Sequence, residues 1–203
     1  MLAKGSTVQG TIEFLVHAAG PDAVRAALDA LPPEQGARLA RVSPRDEVPY
    51  ADLVALWEAA DALLASSRPD WLERQGAYAI EQLAPRLYGG LLRKGSPEEF
   101  LTQEVSLFQL YYRPGNMEVV DHGATHAVMR LVGFHPTDRF FCRRFTGAWH
   151  ATIRLTGGVE SRVHHVRCAI EGDAFCEWEL QWRPAVQVIR GRVEAPSLSL
   201  SHS

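Results

Sequence analysis

The residues best suited to chemistry are the three cysteines, which all lie between Phe141 and Trp182. They are Cys142, Cys168 and Cys176, with the spacing C-x25-C-x7-C. Thiolates are soft ligands, and three of them with one further ligand make a closed tetrahedral zinc site. An odd number of cysteines in a reducing compartment indicates a metal site or small buried side chains before a disulfide. Spacing alone leaves these three interpretations open.

The last two cysteines flank a segment with the alternating pattern of a β-hairpin. A three-residue loop at Glu171–Asp173 would place Cys168 opposite Cys176, with Cβ atoms about 4.5–5.5 Å apart. A two-residue turn at Gly172-Asp173 would put the two cysteines on opposite faces. We favour the first register because a slip of one residue would split the apolar residues that it collects on one buried face. Those residues are Val166, Ile170, Trp178, Leu180 and Trp182.

His165 is the favoured fourth ligand. In a regular strand its side chain would point away from that of Cys168, because the two are three positions apart, so a bulge or an irregular entry into the strand is required. His164 has the right face but lies four residues, about 13 Å, along the strand. The prediction is a structural Zn²⁺ ion held by Cys142, His165, Cys168 and Cys176, with Cys142 supplied by a helix packed on the hairpin.

The elements that must position these residues change character near Gly115. Before it, apolar residues recur at helical spacing. This predicts two short helices separated at Gly20-Pro21, a short helix over about 34–42 and a longer one over about 50–65. A further helix is capped by Asp70 and interrupted at Pro85, and the last one starts at Ser96.

After Gly115 the period is two, which predicts strands over 117–121 and 126–132. A helix capped by Thr137 and ending near Leu155 follows, and then the hairpin. The predicted fold is α+β, with a helical N-terminal half packed on a four-stranded antiparallel sheet whose chain order is β-β-α-β-β. We expect the strands to be arranged as a meander.

Length and composition indicate one domain. The 203 residues, 46% of them hydrophobic, can bury a substantial core. We expect residues 1–183 to form this domain and the polar residues 184–203 to be a frayed extension. The net charge of −3 gives no electrostatic footprint for nucleic acid, and Arg143-Arg144 is expected on a solvated face. With no apolar run of ~20 residues and no signal sequence, a soluble cytoplasmic protein is expected.

The remaining motifs do not indicate catalysis. His122-x3-His126 has metal spacing but falls on a turn, where solvated side chains are expected. Two aromatic clusters, Phe108/Tyr111/Tyr112 and Phe140/Phe141/Phe145/Trp149, are expected in the core, although the same residues could line an apolar ligand cavity. Nucleophile-elbow, zinc-protease, phosphate-loop and dinucleotide motifs are absent from the sequence, which favours a protein that is not an enzyme.

The block from Val163 to Leu180 resembles the C-terminal signature of the 4-vinyl reductase domain, with a cysteine, a Gly-Asp turn and a second cysteine before a Glu/aromatic strand. The whole chain also resembles a myxobacterial paralogous family of this length with no assigned activity. The domain is related in fold to ligand-binding modules of nitric-oxide signalling and of Golgi transport particles. In its aromatic-sensing members, three cysteines at this spacing and a glutamate hold zinc, and His165 occupies the glutamate position.

The resemblance implies a non-enzymatic ligand-binding or regulatory domain with structural zinc. A hydrophobic small molecule would favour one arrangement of the domain or of a homodimer, and a separate output protein would carry the signal. One alternative is an enzyme or enzyme accessory acting on a tetrapyrrole or other hydrophobic substrate, which needs an open zinc position with water in place of His165. Another is a protein-interaction scaffold resembling transport-particle subunits, with a filled core and an apolar dimer face.

Overall fold

The computed structural model of the protein describes residues 1–83, 86 and 95–184, and within these the side chains other than those of residues 103–107. The predicted interruption at Pro85, the end of that helix and residues 185–203 of the predicted extension lie outside the described residues.

The first half of the chain is helical, as the apolar periodicity predicts. Helices α1 (Gly5–Ala19) and α2 (Pro21–Asp29) meet at Gly20, whose φ of 86° favours glycine. Helix α3 (Pro33–Leu39) is short, and α4 (Tyr50–Leu64) has the predicted extent. Helix α5 (Trp71–Tyr78) continues into a single π-helical turn, Ala79–Leu83.

The helix caps agree with the sequence at one helix and differ at two. Helix α6 (Pro97–Tyr111) begins as predicted, with the Ser96 hydroxyl accepting the Glu99 N–H at 3.2 Å. Asp70 occupies the N-cap position of α5 without a side-chain capping bond. Helix α7 (Arg139–Leu155) is capped by Asp138, whose carboxylate accepts the Phe141 N–H at 3.1 Å. The prediction of Thr137 as this cap is therefore wrong by one residue.

A small sheet ties the N-terminus to the end of α6. Strands β1 (Leu2–Lys4), β2 (Glu47–Pro49) and β3 (Tyr112–Arg113) pair antiparallel in the order β2-β1-β3. Elements of two or three residues are too short for a periodicity of two to reveal them, so the sequence did not predict this sheet.

The larger sheet is four-stranded and antiparallel, which confirms the predicted α+β fold. Its strands are β4 (Asn116–Gly123), β5 (His126–Val132), β6 (Gly158–Arg167) and β7 (Cys176–Pro184), in the order β4-β5-β7-β6. The expected meander is wrong, because β7 lies between β5 and β6. Strand β7 begins with three buried residues and alternates buried and exposed side chains from Trp178 to Arg183, whereas β6 is largely exposed and suits an edge.

Helix α7 lies against β6 and β7 on one side and crosses α5 on the other. Two glycines allow this crossing to be close. A Cβ on Gly147 would lie within 3.0 Å of the Glu73 carbonyl oxygen, and one on Gly76 equally close to the Arg144 carbonyl oxygen. Backbone therefore contacts backbone at the crossing, which fixes α7 between the helical half and the sheet.

Candidate metal site and ligand cavity

The structure brings all four predicted metal-site residues together. The candidate ligand atoms of Cys142, His165, Cys168 and Cys176 all lie within 4.8 Å of one another. The Sγ atoms of Cys142 and Cys176 are 3.7 Å apart. Two sulfurs bound to one tetrahedral zinc at about 2.3 Å are about 3.8 Å apart, so the pair already has the required separation.

A bulge in β6 turns His165 toward the cysteines, as the sequence argument requires. The β6–β7 register shifts between His165 and Arg167, and Val166 lies in the bulge. His165 pairs with Trp178 and stacks on its indole, with ring centroids 4.7 Å apart. Val166 is 43% exposed, so the expectation that it joins the buried face of the hairpin is wrong.

The connection between the last two cysteines is longer than predicted. Cys168 follows the end of β6 and precedes a 3₁₀ turn, Ala169–Glu171, so the three-residue loop is wrong. The Asp173 carboxylate accepts the Cys168 N–H at 2.7 Å, and Gly172 has a φ of 103°. This hydrogen bond and the conformation of Gly172 fold the connection back. Cys168 therefore approaches Cys176 from a turn and not from a paired strand.

Cys142 is held by the start of α7. Its helix begins at Asp138, which also accepts a hydrogen bond of 2.9 Å from the buried hydroxyl of Tyr50. Burial raises the pKa of Asp138, and the hydrogen bonds from Tyr50 and the α7 backbone oppose this change. The first turn of α7 is therefore anchored to α4, which fixes the position of Cys142.

Two of the cysteines share a proton. The hydrogen bond with Cys142 lowers the pKa of Cys176 to about 5, against the effect of burial, and His165 acts in the same direction. The same contact and burial raise the pKa of Cys142. The Ala169 N–H also donates to the Cys176 sulfur at 3.4 Å. These contacts favour the thiolate form of Cys176 over that of Cys142, and metal binding would displace the protons that remain.

His122 and His126 do not join this cluster. His122 contacts Glu98 and His126 contacts Asp121, all on the surface. Among the described helices, none has the length and apolar character needed to cross a membrane.

A cavity of about 100 Å³ lies beside α7, between α1, α5 with its π-helical turn, and α6. From the two predicted aromatic clusters, Phe108, Tyr111, Tyr112, Phe145 and Trp149 line it. Phe141 instead lies in the core beside the cavity. The first five residues therefore line a cavity, whereas Phe141 has the expected role in the core.

Sequence reasoning missed the polar part of the cavity wall. The expected solvated position of Arg144 is wrong, since this residue is 6% exposed. Its guanidinium donates to the Gln75 side-chain oxygen and, at 3.0 Å, to the Tyr112 hydroxyl. The available signal was helical spacing, because Phe141 and Ala148 lie three residues before and four residues after Arg144 on the same helix face.

No family model and no curated protein matches the sequence. Solved structures do match. An Fe(II) unliganded H-NOX protein from K. algicida is 13% identical, with 90% of this chain and 98% of that chain covered and a TM-score of 0.69. An H-NOX protein from S. oneidensis in the Fe(II)NO state is 15% identical, with 89% and 99% covered and a TM-score of 0.66. A variant of T. tengcongensis H-NOX is 16% identical, with 90% and 99% covered and a TM-score of 0.68.

At these identities the likeness defines the fold alone. The chain has the fold of the H-NOX, or heme-nitric oxide/oxygen binding, domain. This confirms the predicted relation in fold to ligand-binding modules of nitric-oxide signalling.

Proposed function

We propose that the protein is a non-enzymatic small-molecule-binding regulatory domain of the 4-vinyl reductase type, in which structural zinc locks α7 to the C-terminal hairpin. The observation that carries this proposal is the double role of α7. Its first turn supplies Cys142 to a cluster whose ligand atoms lie within 4.8 Å of one another, and its next turns form a wall of the cavity.

The donor set supports zinc in a structural role. Three thiolates and one imidazole are a standard closed set for zinc, with no position left for a substrate. The Nε2 atom of His165 is buried and has no hydrogen-bond partner among the described residues. A bound metal ion would give this imidazole the partner that it lacks.

The cavity supports a small apolar ligand. A space of about 100 Å³ corresponds to about three water molecules at their liquid volume of about 30 Å³ each, and a dry cavity of about 150 Å³ takes benzene, so the ligand is of about benzene's size. Its wall is largely aromatic and aliphatic. Since α7 belongs to both sites, a ligand that shifts α7 would change metal affinity, and metal would change ligand affinity by the same factor.

Haem is the ligand named for the H-NOX fold, and the residues of this chain do not fit it. Haem iron is held by histidine in globins and by cysteine in cytochromes P450, and in other proteins by tyrosine or by methionine beside a histidine. The described cavity wall offers no histidine or cysteine, and the sequence of residues 84–94 contains neither. Of the tyrosines in the wall, Tyr112 already accepts a hydrogen bond from Arg144. The cavity volume is also far below that of a porphyrin. The proposed ligand is therefore smaller than haem.

The same observations favour this proposal over its alternatives. A catalytic zinc keeps an open position, whereas the four side chains here would supply all four ligands of a tetrahedral site. A scaffold with a filled core would not have the cavity. Homodimerisation and a separate output protein stay predictions, which sedimentation of the purified chain and co-purification would test.

Metal analysis and native mass spectrometry of the purified full chain test the zinc site. We expect one zinc ion per chain, lost in Cys168→Ser. His165→Ala should retain zinc with about 100-fold weaker affinity, measured by competition with a chelating dye, since water would replace a protein ligand. His164→Ala, which removes the neighbouring histidine outside the cluster, is the matched control and should bind zinc normally. A chain that purifies without metal and does not bind added zinc would contradict the proposal.

Titration with toluene, an apolar compound of about this size, tests the cavity. Binding should quench the fluorescence of tryptophan, since Trp149 is part of the wall. The absence of binding by any apolar compound of this size would remove ligand binding from the proposal while leaving the zinc result unaffected.

A further inference from the structure

The polar atoms of the cavity indicate which kind of ligand it accepts, an inference that rests on the proposed ligand-binding function. Three buried polar side-chain atoms have no hydrogen-bond partner among the described residues and belong to residues of the cavity wall. They are Ser6 Oγ, Gln75 Nε2 and Trp149 Nε1. The three residues are 5%, 0% and 1% exposed. Buried polar groups are nearly always paired, so three unpaired groups around one space point to a missing partner.

These unpaired atoms are mainly hydrogen-bond donors. The indole of Trp149 can only donate. The side-chain oxygen of Gln75 already accepts from Arg144, which assigns its free end as the NH₂ group. The Ser6 hydroxyl can donate as well. The partner that all three lack is therefore an acceptor.

A positive charge lies beside them, and no counterion faces it among the side chains that the structure describes. The Arg144 guanidinium contacts the Gln75 oxygen, the Tyr112 hydroxyl and the Trp57 ring, whose centroid is 4.6 Å away. All three partners are neutral. Among the residues whose side chains are described, no carboxylate lies within 4.0 Å of this guanidinium. Arginine keeps its charge in proteins, so within this part of the chain the charge is buried without an anion.

Asp138 is the nearest candidate for that anion and is already committed. Its two oxygens accept hydrogen bonds from the Tyr50 hydroxyl and the Phe141 N–H. The Asp138 oxygens also lie more than 4.0 Å from the Arg144 nitrogens, so the two side chains do not form an ion pair.

We propose that the cavity binds a small monocarboxylic acid with an apolar, aromatic body. The carboxylate faces Arg144 and Gln75, where guanidinium and amide N–H groups supply matched donors. The body packs against Phe108 and Phe145. Arg144 is the single cation of the described cavity wall, so a polyanion such as a nucleotide would leave charge unmatched.

Isothermal titration of the zinc-loaded full chain with three compounds of similar size tests this assignment. They are benzoate, its neutral isostere benzamide, and toluene. We expect the acid to bind at least about tenfold more tightly than the amide, because a charge-assisted hydrogen bond is stronger than a neutral one. Equal binding of acid and amide would overturn the assignment but leave apolar ligand binding intact. Failure of all three compounds to bind would overturn both.

Variants locate the carboxylate. Arg144→Gln should abolish the preference for the acid while toluene still binds. Arg143→Gln is the matched control, since Arg143 pairs with Glu73 outside the cavity and its loss should leave the preference unchanged. Trp149→Phe keeps an aromatic side chain but removes the indole N–H donor, and it should weaken binding of the acid several-fold. This variant tests the assignment even if Arg144→Gln does not fold. A preference for the acid that survives both Arg144→Gln and Trp149→Phe would overturn the proposed orientation.

Discussion

Helix α7 contributes to two sites, the metal cluster and the cavity, whose unpaired side-chain atoms would bind opposite kinds of partner. At its first turn, Cys142 joins two other sulfurs and an imidazole, all of which can donate electron pairs to a metal. Arg144, half a turn further on, and Trp149, two turns further on, contribute N–H groups to the wall of a cavity. The first cluster is completed by a cation and the second space by an acceptor. Unpaired buried atoms distinguish the two sites better than shape does.

The comparison also shows what each site contributes. The metal cluster joins α7 to the hairpin, so its loss should change stability. The cavity is a space within a core that is packed around it, so changes to its polar atoms should change ligand preference more than stability. The variants below test this division, from the largest expected effect to the smallest.

Loss of the metal cluster should have the largest effect on stability. We expect Cys176→Ser to lower the free energy of unfolding by about 4 kcal/mol or more, since loss of a structural metal is among the largest single-residue effects. For a chain of this size that corresponds to a fall in Tm of roughly 8–16 °C by differential scanning calorimetry. A chelator should lower the Tm of the wild type similarly and leave the variant unchanged. An unchanged wild-type Tm in chelator would show that the cluster contributes nothing through metal.

The crossing of α5 and α7 should be the next most sensitive point. Gly147→Ala forces a methyl group against the Glu73 carbonyl, and we expect a loss of about 2–3 kcal/mol in urea unfolding, together with weaker ligand binding. Gly123→Ala is the control, because its Cβ would meet only the exposed ring of His126, which can move. Equal stability of the two variants would mean that α7 is not clamped at this crossing.

The sequence predicted the elements of the fold better than their arrangement. Apolar periodicity predicted most helices and the four strands of the larger sheet, because both report directly which face is buried. The strand order could not be predicted this way, since a period of two identifies a strand without identifying its neighbours. The cysteine spacing and a family resemblance together predicted the metal cluster. For His165 to face the cysteines, the sequence required a bulge or an irregular strand entry, and the structure has a bulge at Val166.

The cavity wall was harder to predict because its polar residues are far apart in sequence. Ser6, Gln75 and Arg144 belong to three different helices, and each alone is typical of a solvated surface. Arg144 also follows another arginine, and two adjacent cations suggest exposure. Only the packing of α5 on α7 shows that Arg143 turns outward to Glu73 while Arg144 turns inward to Gln75.

The cap of α7 sharpens the comparison at the metal end. We expect Asp138→Ala to cost about 1–2 kcal/mol in urea unfolding, because the Phe141 N–H and the Tyr50 hydroxyl both lose their acceptor. Zinc affinity should also fall, since Cys142 is in the first turn. Thr137→Ala is the matched control at the cap that the sequence predicts, and it should be neutral. A larger loss in Thr137→Ala would contradict the assigned cap.

His150, near the other end of α7, should have the smallest effect, visible only in acid. Burial, together with the nearby charges of Arg154 and His164, lowers its pKa below the ordinary value of 6.5. Just below pH 6.5 the unfolded chain therefore binds more protons than the folded one, and stability falls as the pH falls until the folded side chain also protonates. In urea unfolding at pH 7.5, 6.5 and 5.5, His150→Asn should lose less stability with acid than the wild type. Identical slopes would contradict this role.

The position of β7 has a consequence for how the protein is made. Strand β7 fills the gap between β5 and β6 and carries Cys176, yet it is the last strand of the described chain. While residues 176–184 are still inside the ribosome, the nascent chain has unpaired edges on β5 and β6 and lacks one of its metal ligands. Sheet closure and metal capture are thus completed by the same late segment, and nascent chains that stop short of it should be readily cut by proteases.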